Sequence, residues 1–363
     1  MNPRRIADQP TMQDIANAAG VGKATVSLAL RNDPRLRAET RKRIQNLATK
    51  LGYRTNATVA NLMAQLRASK TPRYQATLGL LNVSPYPDAF TGLTTFRDWF
   101  TGCKNRAAQL GYGLDEFWLH EKGLTAQRLA SILETRGIRG FIIAAVLEPS
   151  ALPTMLGTLC QKFATVVVGV RVIQPALHVT CNDQYSTALG AIRELLKLGY
   201  RRPGLVMIPR VDEMVDGRFS AGFWAGQLLL PPAQRVPVAF INEGDHGGFT
   251  AWFRKYKPDA VLCIHPEIRT WLTEMKLRVP QDVGLAHLDH TSALGDWTGM
   301  NQNNELAGIA AMDMLVGQLH RNEAGMPEFP KSLLIQSSWV MGATVKNLSE
   351  DKKVVRPKRK NSA

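Results

Sequence analysis

The chain has 363 residues, of which 45% are hydrophobic and 21% charged, and its formal net charge is +15. This is the composition of a globular protein with room for two or three domains. It contains no run of roughly 18 apolar residues that would span a bilayer, and no apolar segment follows the two N-terminal arginines. We therefore expect a cytoplasmic protein rather than a membrane or secreted one.

The charge is concentrated at the two ends of the chain. Residues 1–75 have a net charge of +10, residues 76–345 of zero and residues 346–363 of +5. A basic segment ahead of a neutral body favours contact with a polyanion, because phosphate contacts dominate the affinity of nucleic-acid binding. A basic face that is merely solvated is the alternative.

The first predicted elements are two short helices. Thr11 can cap a helix whose apolar residues between Met12 and Ala19 share one face, and Gly20 is placed to end it. A second helix begins near Lys23. Two helices joined by a turn of three or four residues with glycine have the spacing of helix-turn-helix proteins.

The second helix lies within "VGKATVSLALRN" and has two different faces. Val26, Ala29 and Leu30 form an apolar face that would pack on the first helix. The other face is short enough in its side chains to enter the DNA major groove, which is about 12 Å wide. Its residues are Lys23, Ala24, Ser27 and Leu28.

A third helix is predicted within "AETRKRIQNLATKLGY", after the break at Asp33 and Pro34. Its basic residues point outward. The inward residues are Thr40, Ile44, Leu47, Ala48 and Leu51.

A fourth helix is predicted in "ATVANLMAQLR", with Asn56 as its cap. Val59, Leu62, Met63 and Leu66 form an apolar stripe with no partner helix nearby in the sequence. So short a helix is marginal in water by itself. The stripe therefore needs a second copy of itself or a groove to lie in.

From Ala76 onward, short apolar runs alternate with amphipathic segments. A buried strand followed by a helix, repeated many times, predicts parallel sheets. The 270 residues from 76 to 345 exceed what one open sheet usually holds. We therefore expect two lobes, with a cleft where the strands end.

The runs "TMQDIANAAGVGKATVSLALRN" and "TRKRIQNLATKLGYRTNATVANLMAQLR", followed by this alternating body, resemble the lactose-repressor/galactose-repressor family of bacterial transcription regulators. The resemblance covers residues 11 to 345 and is more specific in the first part. It implies an all-α helix-turn-helix head and hinge helix. An α/β two-lobed, periplasmic-binding-protein-like effector domain with parallel sheets would follow.

The resemblance also implies domain boundaries. The helix-turn-helix head takes residues 11–55, the hinge helix and linker 56–75, and the effector-binding and dimerisation domain 76–345, leaving a basic tail at 346–363 that we expect to be disordered. Within the effector domain, the first lobe takes about 76–197 and 304–330, and the second about 198–303 and 331–345.

In that family the second helix reads the major groove, and paired hinge helices insert a leucine, here Leu62, into the minor groove. The DNA-binding residues implied by this resemblance are Thr11, Lys23, Ala24, Thr25, Ser27, Leu28, Asn32, Tyr53, Asn56 and Val59.

Two positions of the second helix depart from the family pattern. Gly22 stands where the family usually has serine, and Leu28 where it usually has arginine. Leucine can contact a thymine methyl group but cannot donate to guanine, so we expect a different half-site. Lys23 is equally suited to a guanine and to a phosphate.

In the body, the resemblance places several side chains in the cleft, with Arg218 suited to hold a sugar hydroxyl or a carboxylate. For each polar candidate the alternative is a strand-end cap or a surface ion pair, and for His265 a structural histidine. The candidates are Phe96, Asp183, Arg218, His265, Asp289 and Gln302.

We predict no catalysis, cofactor or metal. The four cysteines are widely spaced without a C-x-x-C pair, which favours buried free thiols. His287 and His290 would point in skewed directions unsuited to zinc. The segment "GVGKAT" lacks the first glycine and the Ser or Thr of a phosphate loop, and neither G-x-S-x-G nor a paired-histidine metal helix is present.

The sequence therefore predicts a homodimer that binds a pseudo-palindromic operator in double-stranded DNA, has no membrane partner, and responds to a small-molecule effector. The resemblance favours a sugar or derivative and repression; purines, activation, and inducer or corepressor control stay open. A transport binding protein without specific DNA function is the alternative, against which the basic head argues. The tail lacks leucine heptads, which favours a dimer, and either adds nonspecific DNA attraction or is simply solvated.

Overall fold

The structure is a computed structural model that describes residues 11–30, 32–53, 76–147, 152–172 and 174–351. The predicted hinge helix and residues 352–363 of the predicted tail lie outside these ranges. The prediction of disorder is wrong for residues 346–351, because the Lys346 amide donates to the Tyr200 hydroxyl at 3.1 Å and residues 348–351 form a short helix. The head consists of three helices, α1 (Met12–Ala19), α2 (Lys23–Leu30) and α3 (Ala38–Lys50).

Local hydrogen bonds set the limits of α1. The Asp14 amide donates to the Thr11 hydroxyl at 3.3 Å, and the Thr11 amide donates to the Asp14 carboxylate at 2.6 Å, which together form a capping box. Gly20 ends the helix in the left-handed conformation, with φ of 64°. The cap and the turn predicted from the sequence are confirmed.

The three helices enclose a small apolar core, which holds two of the predicted inward residues of α3, Ile44 and Ala48, while Thr40 and Leu47 are only partly buried. Leu51 is 39% exposed, so its predicted inward position is wrong. The helix ends at Lys50, the chain turns at Gly52, and Tyr53 packs against the core instead. The buried residues of this core are Ile15, Ala16, Val26, Ala29, Ile44 and Ala48.

The body contains two six-stranded sheets. The first sheet is built from β1 (Ala76–Asn82), β2 (Tyr112–Trp118), β3 (Gly140–Ala144), β4 (Ala164–Val168), β5 (His178–Asn182) and β11 (Ser332–Ile335). The second is built from β6 (Pro203–Met207), β7 (Ala239–Phe240), β8 (Ala260–Cys263), β9 (Gly284–His287), β10 (Thr298–Asn301) and β12 (Ser338–Val340).

The strand order is β11-β5-β4-β3-β1-β2 in the first sheet and β12-β10-β9-β8-β6-β7 in the second. Every pair is parallel except β10 and β12. Six of the twelve described strands, those in the middle of the two sheets, are buried along their whole length, which explains their apolar runs. The predicted two-lobed α/β body with parallel sheets is confirmed.

Helices connect the strands. Those of the first lobe are α4 (Ala89–Gly92), α5 (Thr94–Leu110), α6 (Ala126–Thr135), α7 (Thr154–Lys162) and α13 (Asn304–His320). Those of the second lobe are α8 (Gln184–Lys197), α9 (Pro209–Met214), α10 (Arg218–Gln227), α11 (His246–Tyr256), α12 (Ile268–Glu274) and α14 (Leu348–Asp351). Short 3-10 turns lie at Pro232–Gln234 and Ser292–Leu294.

The structure places two segments in a different lobe from the one that we predicted. The helix α8 packs against α10 and against the second sheet, so the first lobe does not extend to residue 197. The strand β11 pairs with β5 of the first sheet, so residues 332–335 are not part of the second lobe. The chain thus crosses between the lobes three times, after β5, after β10 and between β11 and β12.

The four cysteines are buried and free, as predicted. Among the described residues, no helix combines the length and the apolar character needed to cross a membrane. The same residues contain no group of three or more His, Cys, Asp or Glu side chains placed to hold a metal ion.

The helices α5 and α13 pack so closely that glycines are needed where they cross. A Cβ atom at Gly308 would collide with the Trp99 carbonyl, and one at Gly102 would collide with the Glu305 carbonyl. The Cys103 thiol donates to the Gly308 carbonyl at 3.4 Å across the same contact. This close packing holds α13 against the first sheet, although its sequence follows the second lobe.

We expect Gly308→Ala to lower the free energy of unfolding by about 1–3 kcal/mol, because the added methyl group forces α5 and α13 apart. Urea unfolding measures the change. The matched control is Gly157→Ala in α7, where nothing lies within 4 Å of the added atom and stability should be unchanged or slightly higher. A Gly308→Ala variant as stable as the control would contradict this account of the crossing.

Candidate functional site

The exposed face of α2 is the candidate DNA-reading surface. Lys23 and Ala24 are exposed, and Thr25, Ser27 and Leu28 are partly exposed. The opposite face lies in the head core. No side chain on this helix is acidic, so none would repel phosphate. The structure thus orients the second helix as predicted, and its contacts with bases stay a prediction.

Contacts from α3 hold α2 in place. Arg41 donates to the Asp33 carbonyl at 3.0 Å, and the Gln45 amide donates to the Ala29 carbonyl at 2.9 Å. One bond joins α3 to the last turn of α2 and the other joins it to the turn that follows, so α3 fixes the position of α2. The sequence did not indicate these two contacts. Arg41 is one of several basic residues that were predicted to point outward.

The other predicted DNA contacts are dispersed over the head. Thr11 is exposed at the start of α1, Asn32 is exposed and ends α2 in a left-handed conformation with φ of 56°, and Tyr53 is half-buried against the head core. Asn56, Val59 and Leu62 lie outside the described residues.

The second candidate site is the cleft between the lobes, where the carboxyl ends of both sheets face each other. Asp289 follows β9 of the second sheet and accepts hydrogen bonds from two residues of the first lobe. The Thr95 hydroxyl lies 2.8 Å from Oδ2, and the Asn304 amide lies 3.1 Å from Oδ1. Burial raises the pKa of Asp289, while these two hydrogen bonds act in the opposite direction.

Arg218 reaches across the cleft from the start of α10. Its Nε donates to the Val215 carbonyl at 2.9 Å, and its Nη1 donates to the Cys181 thiol at 3.6 Å. Its Nη2 is buried and has no hydrogen-bond partner among the described residues. Nearby, Arg171 of the first lobe pairs with Asp216 of the second at 2.8 Å. The guanidinium of Arg218 therefore has a donor available for a ligand.

Buried polar atoms without a partner are concentrated at this cleft. Among the described residues nine such side-chain atoms occur, and all but those of His246 and Gln318 belong to residues beside the cleft. Leaving a buried donor or acceptor unpaired costs about 1–3 kcal/mol, so this concentration marks a candidate binding site. Five of them are Trp99 Nε1, Gln184 Oε1, Arg218 Nη2, His290 Nε2 and Asn304 Oδ1. The other two, His265 Nε2 and His287 Nε2, lie near the backbone of Ile241 and Ile264, which acts on their pKa as a hydrogen-bond acceptor does.

His287 is held in a defined protonation state. Its Nδ1 accepts from the Asp289 amide at 3.1 Å, so the neutral ring carries its proton on Nε2. Burial lowers the pKa of His287 to about 4. Burial also lowers the pKa of His265, which lies after β8 beside the same cleft.

Other predicted cleft residues have structural contacts. Asp183 caps α8 by accepting from the Ser186 amide at 3.0 Å, and Gln302 is buried and donates to the Leu288 carbonyl at 2.9 Å. Phe96 is buried in the first-lobe core, with its ring 5.2 Å from that of Trp99. Their roles toward a ligand stay a prediction.

Sequence reasoning missed Trp99, Gln184, His290 and Asn304. Trp99 lies over Gly169, at the end of β4, and Gln184 directly follows the cap at Asp183. Three of the four are close in sequence to predicted residues, and this proximity could have identified them.

At the mouth of the cleft is a groove of about 430 Å³, within the range of roughly 300–1,000 Å³ typical of small-molecule sites. Its lining includes Thr94, Arg97, Asp98, His290, Asn301 and Asn304.

The buried His287 predicts a pH dependence of stability. As the pH falls below 6.5, the unfolded chain gains a proton that the folded chain takes up only near 4, so the folded state loses stability across this window. When the pH is lowered from about 7.5 to about 5, the free energy of unfolding should fall by about 2 kcal/mol less in His287→Asn than in the wild type. The side-chain oxygen of asparagine can still accept from the Asp289 amide.

Urea unfolding at the two pH values tests this. The exposed His120→Asn variant is the control and should follow the wild type. Equal pH dependence in all three proteins would show that His287 is not buried as a neutral ring.

Two parts of the chain match known families. Residues 11–56 match the family described as bacterial regulatory proteins, lacI family, and residues 192–344 match the periplasmic binding protein-like domain. The first match covers the described head, and the second covers most of the second lobe.

Relatives match over nearly the whole chain. The HTH-type transcriptional regulator PtxS of Pseudomonas putida is 25% identical, over 93% of this chain and 98% of its own length. The HTH-type transcriptional repressor CytR of Escherichia coli is 24% identical, over 90% of this chain and 94% of its own length.

Solved structures share the fold. A complex of the transcriptional regulator CelR with cellobiose has a TM-score of 0.57 and 18% identity, covering 92% of this chain and 99% of that one. The lac repressor dimer bound to operator and the anti-inducer ONPF has a TM-score of 0.54 and 20% identity, covering 93% and 100%. With its helix-turn-helix head and two-lobed body, the chain belongs to the lacI family of bacterial regulatory proteins and is a DNA-binding transcriptional regulator.

Proposed function

We propose that the chain is a dimeric repressor whose affinity for a two-fold symmetric operator is set by a small polar ligand in the interlobe cleft. The observation that carries this proposal is the set of five buried polar atoms without a hydrogen-bond partner that both lobes contribute to the cleft, on Trp99, Gln184, Arg218, His290 and Asn304. A ligand that bonds to these atoms from both lobes binds one arrangement of the lobes more tightly than another. It shifts the equilibrium between the two arrangements by this difference in affinity and by no more.

The chemistry of these atoms favours a sugar or sugar derivative. Arg218 and Trp99 offer donors, whereas Gln184 and Asn304 offer oxygen acceptors. A hydroxyl group both donates and accepts, so a polyhydroxylated ring can use such a mixed set. The complex of CelR with cellobiose gives a precedent among proteins that share this fold.

The three crossings between the lobes are where a relative movement would occur. Lobe closure around a ligand moves the first lobe, and with it the start of β1 at Ala76, relative to the second lobe. In a dimer the separation of the two first lobes then sets the separation of the two heads, which must match the operator half-sites. The lac repressor dimer on its operator and the repressor CytR support the dimeric and repressing parts of the proposal.

Loss of the free donor of Arg218 is expected to weaken ligand binding. A thermal-shift screen of sugars and nucleobases on the full chain identifies a ligand, whose affinity is then measured by calorimetry. Removing a charged hydrogen bond costs about 1.5–3 kcal/mol, so Arg218→Ala should bind about 10- to 100-fold more weakly.

Two further variants separate the role of Arg218 from a folding defect. Arg218→Lys keeps the charge but not the planar donor fork and should also bind more weakly. Arg210→Ala, at an exposed position on the neighbouring α9, should bind as the wild type does. Wild-type affinity in Arg218→Ala would overturn the placement of the ligand in this cleft.

Operator recognition is tested by selecting duplexes from a random pool with the full chain. We expect a two-fold symmetric site, and in Leu28→Arg a half-site in which one position changes to guanine with a preference of about 1–3 kcal/mol. Gln13→Arg adds the same charge on α1 and should raise affinity without changing the site. Selection of no symmetric site would reject the operator proposal, and an unchanged site in Leu28→Arg would reject base contact by residue 28.

A further inference from the structure

We propose that the face of the second lobe opposite the cleft is a second DNA-binding surface that reads no sequence. We call it the distal face. It consists of the segments 198–202, 230–238, 254–259, 278–283 and 345–348, most of which lead into strands of the second sheet. This surface is separate from both the head and the cleft.

Hydrogen bonds join these segments into one continuous surface. Arg202 donates to the Tyr256 carbonyl at 2.7 Å and to the Ala233 carbonyl at 2.6 Å. The Leu348 amide donates to the Leu198 carbonyl at 2.7 Å, and Lys346 Nζ donates to the Gln281 carbonyl at 3.3 Å. The charges on the five segments therefore act together.

The distal face is basic. Its five segments hold eight Lys or Arg residues against two Asp residues. Arg202 is occupied by carbonyl groups, and Arg278 is paired with Asp282 at 2.9 Å. The exposed cations that remain are Arg201, Arg254, Lys255 and Lys257, together with Arg235, whose Nε donates to the Leu230 carbonyl at 3.0 Å.

The opposite edge of the same sheet is acidic. The segments that follow its strands, 208–217, 241–246, 264–267 and 288–292, hold seven Asp or Glu residues against one Arg. The net charge of zero for residues 76–345 therefore hides a separation of charge across the second lobe. Such a separation attracts a polyanion to one end of the lobe, which a surface with interspersed charges does not.

The chain continues from this face into its most basic segment. The bond from Leu348 to Leu198 places α14 at the distal face, and α14 ends at Asp351. Residues 352–363 then contain six Lys or Arg residues and no Asp or Glu. Their sequence adds to the positive charge at the point where the described chain leaves the body.

The occupant that fits is double-stranded DNA. The first strand β1 begins at Ala76, at the edge of the first sheet that is farthest from the cleft, and the linker to the head joins there. Because the carboxyl ends of both sheets meet at the cleft, the distal face lies at the other end of the body. A duplex on the distal face is then a different stretch of DNA from the one held by the head, so one molecule can bridge two segments.

The test uses the full chain bound to an immobilised operator duplex obtained by selection. A labelled duplex of unrelated sequence is added, and its capture is measured as a function of salt. We expect capture by the wild type, and at least tenfold weaker capture by two variants. The first is the triple substitution Arg201→Gln, Lys255→Gln and Lys257→Asn, with asparagine chosen because residue 257 has a positive φ. The second lacks residues 352–363.

A matched control removes three exposed cations from the first lobe, as Lys104→Gln, Lys122→Gln and Arg128→Gln. It should capture the second duplex as the wild type does, and all variants should keep the operator affinity. No capture by the wild type at low salt, or equal capture by the triple variant and the control, would overturn the proposal. Stronger capture of single-stranded RNA or of anionic lipid vesicles than of duplex DNA would also overturn it.

A second measurement does not depend on an operator. On a duplex of arbitrary sequence, the salt dependence of binding should fall by about 0.9 in slope for each phosphate contact that a variant loses. A slope that is the same in the wild type, the triple variant and the truncated chain would reject the distal face as a DNA-binding surface.

Discussion

The hydrogen bonding of the partly buried Asp289 carboxylate is the interaction on which the arrangement of the two lobes depends. The carboxylate belongs to the second lobe, and Thr95 and Asn304 of the first lobe hold both of its oxygen atoms. A charge removed from water must be compensated by such bonds, so separating the lobes changes the hydrogen bonding of this group. A ligand that competes for Asp289 favours opening, whereas one that satisfies the unpartnered donors around it favours closure. The same cleft thus suits either sense of control.

The fold was predictable where its causes are local. The cap at Thr11 and the glycine that ends α1 are adjacent to the helix they limit, and the run of strands and helices follows from periodicity. The lobe to which α8 and β11 belong was not predictable in this way. Periodicity shows that a helix has a buried face, but both sheets offer the same apolar surface. The choice depends on contacts such as Gly222 against Tyr185, which join residues distant in sequence.

The candidate site was predictable only in part, for a related reason. Arg218 and Asp289 were expected in the cleft from the family resemblance, and the structure places both there. Asp183 and Gln302 look equally suited in the sequence, yet one caps a helix and the other bonds to a backbone carbonyl. Whether a polar atom is left without a partner depends on the assembled fold. Gln184 is an example. Its neighbour Asp183 has a clear role as the cap of α8, whereas the side-chain oxygen of Gln184 is left without a partner.

The topology of a parallel sheet also explains how a neutral body carries two opposite surfaces. Segments that follow strands lie at the cleft, and segments that precede strands lie at the far edge, so the two sets alternate along the chain. Acidic residues are concentrated in the first set and basic residues in the second, and a count along the sequence averages them to zero. The acidic residues at the cleft margin repel phosphate groups. This repulsion disfavours contact between nucleic acid and that edge of the second lobe.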